Sequence, residues 1–217
     1  MKPRLRFTTA FVAAAQACAW AQAPAAAPPD AGRAVFLDPD TPQFAEVREL
    51  GERAINRAGY ALVAEVTNAI ARSGTMDALK VCHLKNFPAK NPLPDLPRVT
   101  AIKRTSLRLR DPANAPDAAD RAALENVQST LESGDPTPSV LLQRVWLPDG
   151  RTEWRVYRPI AVTARCTACH GPRDDMLPAL RDELARLYPD DQAANYKNGE
   201  WRGLIRVSIS DQIPAAH

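Results

Sequence analysis

Cys166-Thr167-Ala168-Cys169-His170 places two thiols and an imidazole within five consecutive residues. Two thiols three positions apart can each add to one of the two vinyl groups along one edge of a haem. The adjacent imidazole then lies beneath the iron as its proximal ligand. The motif therefore predicts one covalent haem c, with Cys166 and Cys169 as thioether residues and His170 as a metal ligand. Two other chemistries use the same side chains. A Cys166–Cys169 dithiol of the thioredoxin type needs a strand running into a helix N-terminus inside a parallel α/β core. A zinc site needs a fourth ligand, for which Cys82 or His83 is available.

Cys82-His83 is the second constellation, because the histidines are only His83, His170 and the terminal His217. A sixth iron ligand from the protein must come from Cys82, His83, Met76 or Met176. Met176 follows His170 by only six residues and belongs to the proximal side. Cys82 shares a helix face with Ala78 and Leu79, which turns it inward, whereas His83 lies about 100° further round and faces solvent. The alternative for Cys82 is a buried, inert thiol. Arg104, Arg108 and Arg110 alternate along an expected strand and share one face. Such a row is either the solvated side of a sheet or a source of guanidinium forks for haem propionates, with Arg104 and Arg108 as the candidates. A haem enzyme of the peroxidase type would need an open iron position and a distal acid/base. Only His83 could serve as that base, so no enzymatic activity is expected.

These side chains must be positioned by a modest number of elements. Phe44, Val47, Leu50, Ile55, Ala58, Leu62, Val66 and Ile70 describe a long amphipathic helix from Gln43 to Ser73, broken at Gly74. Thr75 reads as the N-cap of a short helix that carries Ala78, Leu79 and Cys82. After a Pro-rich loop, two-residue alternation from Val99 to Arg110 predicts a strand. A turn at residues 111–116 then leads into a helix from about Asp117 to Ser133. Val140–Trp146 and Thr152–Val162 form a hairpin around Pro148-Asp149-Gly150, and the Cys-x-x-Cys-His motif follows directly. Leu177, Leu180, Leu184 and Leu187 mark a helix stopped by Pro189, and Ile205, Val207 and Ile209 share one face of a last strand. The order reads as an α+β fold with one mostly antiparallel sheet and flanking helices.

The chain has 217 residues, enough for one well-buried domain. Met1–Arg6 is basic, Phe7 to about Ala15 is apolar, and Ala19-Trp20-Ala21 supplies small residues: the order of a secretory signal peptide over residues 1–21. The apolar run is far shorter than the roughly 20 residues of a membrane span, and Ala15-Gln16-Ala17 is a poor context for lipidation at Cys18. Residues 22–42 lack periodicity and read as a flexible lead-in, followed by a domain over residues 43–213. Cleavage after Ala21 removes Lys2, Arg4 and Arg6 and with them the formal charge of +3, so nothing favours a nucleic-acid partner. It also removes Cys18 and leaves an odd number of cysteines, which in an exported chain cannot all pair as disulfides.

Four motifs in order carry a resemblance: Val81-Cys82 after the long helix, Arg104-Thr105-Ser106 running to Arg110-Asp111-Pro112-Ala113-Asn114-Ala115-Pro116, Cys166 to Gly171, and Asn198-Gly199-Glu200-Trp201-Arg202-Gly203. Over roughly residues 44–211 the chain resembles a family of c-type haem domains with a PAS-like fold. The family is typified by a cyanobacterial haem protein and is also found as the periplasmic part of bacterial sensor kinases and chemoreceptors. The resemblance implies a PAS-like sheet, a haem held by Cys166, Cys169 and His170, and an axial cysteine that falls on Cys82. No kinase or signalling segment follows the domain before His217, unlike in the multidomain relatives. The expected protein is periplasmic and acts in redox or ligand sensing at a six-coordinate His/Cys haem. Its expected partners are the haem and either a redox protein or a small gaseous ligand, with no integral membrane segment. A soluble single-electron carrier is the alternative function.

Overall fold

The computed structural model describes residues 32–84 and 93–212. The expected signal peptide, the first part of the lead-in, most of the Pro-rich loop and His217 lie outside the described residues. Five antiparallel strands form one sheet in the order β1-β3-β4-β5-β2. These are β1 (Ala34–Leu37), β2 (Val99–Thr105), β3 (Leu141–Trp146), β4 (Thr152–Ala161) and β5 (Trp201–Ser210). The helices are α1 (Ala45–Ser73), α2 (Thr75–Val81), α3 (Ala118–Glu132), α4 (Thr167–His170) and α5 (Pro178–Leu187).

One face of the sheet is covered by α1. Val47, Leu50, Ala54, Ile55 and Ala58 recur at helical spacing and are buried against Leu142, Trp154, Val156, Ile205, Val207 and Ile209. Each large aliphatic side chain withdrawn from water here contributes about 1.5–3 kcal/mol. Gly51 permits the close approach, since a Cβ there would sit 2.4 Å from Val156 Cβ. The helix stops at Gly74, whose φ of 80° suits glycine and whose N–H still donates to Ile70 O. That glycine, and not Thr75, occupies the cap position of α2, and Thr75 is already helical.

The opposite face receives α3, which opens on a capping box: Asp117 accepts from the Asp120 N–H, and the Asp120 carboxylate accepts from the Asp117 N–H. Ala123, Leu124 and Val127 pack on Leu141, Tyr157 and Leu204. Strand alternation places Gln143, Arg155 and Arg206 on this face; Arg155 and Arg206 donate to the fully buried Asp120, and Gln143 donates to Ala119 O.

Two further expectations are corrected. Residues 34–37 of the expected lead-in form the edge strand β1, paired from Ala34↔Val145 to Leu37↔Leu142. A four-residue strand is too short to show a period of its own, and its existence depends on β3 alongside. The strand expected to reach Arg110 ends at Thr105. Ser106 Oγ accepts from the Arg108 N–H at 3.1 Å and donates to Arg202 O at 2.8 Å, so a local side-chain turn replaces the ladder. Arg104, Arg108 and Arg110 therefore do not share a strand face.

Candidate haem site

The Cys-x-x-Cys-His residues leave the end of β4 through a tight turn. The Cys166 N–H donates to Thr163 O at 2.8 Å, and Thr167 Oγ1 donates to Ala164 O at 2.7 Å. One helical turn, α4, then places Cys169 and His170, whose N–H groups both reach Cys166 O, at 3.1 and 2.9 Å. This turn is clasped by the strap of residues 191–196. The Asn195 N–H donates to Gly171 O, and the Tyr196 N–H to His170 O, each at 2.8 Å. Cys166 packs on Val162, Ala193 and Tyr196, whereas Cys169, like Leu79 of α2, packs against the cluster of Met176, Leu180, Leu184 and Ala194. Both thiols are half-buried and free.

His170 donates from Nδ1 to Ala193 O at 2.7 Å. Burial pushes its pKa down to about 3, and the cations Arg110, Arg202 and Arg104 add to the effect. The imidazole is therefore neutral at physiological pH with its one proton on Nδ1, which leaves the Nε2 lone pair available to a metal. Burial also pushes the Cys169 thiol up, opposed by Arg110 and reinforced by Cys82 and Cys166. That is the reverse of what activates a reactive thiolate.

Cys82 reaches this region on the cap of α2. Its N–H donates to Ala78 O at 3.0 Å, its backbone angles of −75° and 55° are those of an inverse γ-turn, and the His83 N–H donates to Val81 O at 2.7 Å. Cys82 thus stands just beyond the helix, and its place is fixed by Arg104, whose Nη2 donates to Cys82 O at 2.7 Å. His83 was expected to be exposed. It is instead half-buried, with Nδ1 enclosed and without a partner among the described residues.

The arginines divide by role. Arg110 clamps the site from below: Nη2 donates to Cys169 O, Asp191 Oδ2 and Ala193 O at 2.6, 3.0 and 3.2 Å. Its Nε is buried with no hydrogen-bond partner among the described residues. Arg108 binds the strap through Gln192 O and Ala194 O and stacks 3.9 Å from the Tyr196 ring centroid. Arg202 donates to Ser106 Oγ and Arg108 O. The structure thus brings Cys82, Cys169, His170, Arg104 and Arg110 to one place and puts Arg108 in the strap behind them. Ala193 was missed, because a backbone carbonyl leaves no mark in residue type. Arg202 stood in a quoted motif without a role. Its charge beside His170 depends on β5 lying next to β4.

The residues present fit a c-type haem: two unpaired thiols on one helical turn, an oriented imidazole and a buried guanidinium donor, Arg110 Nε, without a partner among the described residues. Among the described residues, no three His, Cys, Asp or Glu side chains are grouped to hold a metal ion. No helix among them is long and apolar enough to cross a membrane. Fold and site together define an α+β domain: a long N-terminal helix over a five-stranded antiparallel sheet, with a Cys-x-x-Cys-His turn leaving the fourth strand. The chain belongs to the Tll0287-like family, whose model matches residues 60–210. It has the fold of the cyanobacterial heme-protein Tll0287, with a TM-score of 0.52 and 19% sequence identity over 81% of this chain and 99% of that one. No curated protein matches the sequence.

Proposed function

We propose that the chain is a periplasmic haem c protein acting in redox or ligand sensing, with His170 and Cys82 as the residues that would ligate its iron. The observation that carries the reading is the bond from His170 Nδ1 to Ala193 O, which fixes the tautomer and leaves the Nε2 lone pair free in a turn that also carries two unpaired thiols. Bound haem would supply reversible one-electron exchange at its iron. Cys166 and Cys169 would hold it through thioether bonds, each thiol S–H adding across one vinyl double bond so that sulfur takes one carbon and the proton the other, with no electron acceptor required. Arg110, with its unused Nε, and Arg104 supply positive charge for the propionates. Cys82 would contribute a sulfur ligand, and its backbone tie to Arg104 would couple any movement of that ligand to β2. The antiparallel sheet disfavours a thioredoxin-type dithiol.

Protein matured in the periplasm of a host with a haem c assembly system should begin near Gln22 and keep its haem after denaturation. Cys166→Ala or Cys169→Ala should impair attachment. Colourless protein with stoichiometric zinc overturns the reading. Stopped-flow spectra separate sensing from electron carriage. Displacement of the sixth ligand by reduction or carbon monoxide supports a sensor, whereas fixed coordination in both redox states supports a carrier.

A further inference from the structure

Ala193 O accepts two donors that do different work: His170 Nδ1–H at 2.7 Å and Arg110 Nη2–H at 3.2 Å. Nη2 carries two protons but faces three acceptors. The shortest contact, to Cys169 O at 2.6 Å, takes one proton. The other is divided between the Asp191 carboxylate and the Ala193 carbonyl. Asp191 also accepts the Ala193 N–H at Oδ1, at 2.8 Å, so one carboxylate holds both the guanidinium and the peptide beside it. The unit is dry, with the Arg110 and Asp191 side chains 11% and 2% exposed. In such surroundings small changes in hydrogen-bond sharing carry weight. The neighbouring arginines grip other carbonyls of the strap, Arg108 those of Gln192 and Ala194 and Arg173 that of Asp191. Among the described arginines, the Ala193 carbonyl is Arg110's alone.

We propose that Arg110 is a positioning residue that sets the strength of the His170–Ala193 hydrogen bond and, through it, the reduction potential. The proposal rests on the haem reading above. A guanidinium on the shared oxygen draws electron density from it and makes it a weaker acceptor for Nδ1–H. His170 then has less imidazolate character and donates less charge to iron, which favours the ferrous state. Asp191 sets the opposite limit by competing for the same Nη2 proton.

The test is Arg110→Lys in haem-loaded protein. The substitution keeps the charge and loses the planar fork. A charge-only role leaves the potential unchanged. The shared carbonyl predicts a fall of about tenfold in the one-electron reduction equilibrium, about 59 mV. In the ferrous low-spin protein, the His170 Nδ1–H proton resonance should move downfield and exchange more slowly. An unchanged potential, or a shifted potential with an unchanged Nδ1–H resonance, overturns the proposal. Should Arg110→Lys fail to load haem, Asp191→Asn answers the same question. It releases the divided proton to Ala193 O, so the potential should rise and the resonance move upfield, and an unmoved resonance overturns the proposal. Wild-type protein without covalent haem overturns the parent reading and this one with it. A loaded variant with unaltered properties removes only the role of Arg110.

Discussion

Replacing Gly171 by alanine tests whether the turn that carries the Cys-x-x-Cys-His residues is as tightly built as its geometry indicates. Gly171 is buried, and a Cβ on it would lie 2.5 Å from Thr167 O and 3.3 Å from Thr167 Cβ. That is about 0.8 Å inside the roughly 3.3 Å at which carbon approaches a carbonyl oxygen even in weak hydrogen bonds. The atom it meets is backbone and cannot rotate away. The Thr167 carbonyl already accepts the Gly171 N–H at 2.8 Å, and the strap holds Gly171 O and His170 O from the other side. Relief therefore requires α4 to shift by a large part of that distance. Overpacking of this kind costs about 1–3 kcal/mol. Loss of the Gly171–Thr167 hydrogen bond would add about 1 kcal/mol. A total of about 2–4 kcal/mol is survivable for a domain of ordinary stability. The shift, however, exceeds the roughly 0.5 Å tolerance of a pre-organised site. Urea titration should therefore show a folded but weakened protein, with covalent haem per chain at less than half the wild-type level. Gly59→Ala is the control: nothing lies within 4 Å of a Cβ there, and the helix interior should gain up to about 1 kcal/mol. Full haem loading of Gly171→Ala, with stability within about 0.5 kcal/mol of wild type, would refute the reasoning.

Cys82→Ser should change the ferric spectrum and raise the potential, because an anionic ligand stabilises ferric iron, while His83→Ala should do little. The reverse pattern in redox titration would assign the ligand to His83. Asp120→Ala should cost about 3–5 kcal/mol in urea unfolding, because it strands Arg206, Arg155 and Lys103 around a fully buried position, and a loss below about 1 kcal/mol counts against a structural role for the cluster. Asp95 forms a two-pronged bond with Arg57, which holds its carboxyl down to about 2. Its folded value lies below an unfolded value of about 3.9, so the stabilisation is complete above that pH and is lost as pH falls through 2. Carboxyl-carbon NMR should give a midpoint near 2, and a midpoint near 3.9 would show the tie absent in solution.

Much of the architecture was legible because it follows from short-range pattern. The helical repeat from Phe44 to Ile70, the hairpin about Asp149-Gly150, the turn leading into α3 and the alternation of Ile205, Val207 and Ile209 each depend on neighbours a few residues away. The five residues from Cys166 to His170 form one helical turn for the same reason. What the tertiary structure decided concerns groups far apart in sequence or without a residue-type signature. β1 exists because β3 lies beside it, and Ser106 ends β2 because Arg202 comes across from β5. Whether Arg108 and Arg110 meet solvent or protein depended on where the strap of residues 191–196 passes, and both donate to its carbonyls. His170 acquires its tautomer from the carbonyl of an alanine 23 positions away, which any residue could have supplied. Spacing along the chain determined which side chains could do chemistry. The partners that orient them are backbone atoms and distant charges, and only the packed fold brings those within hydrogen-bonding distance.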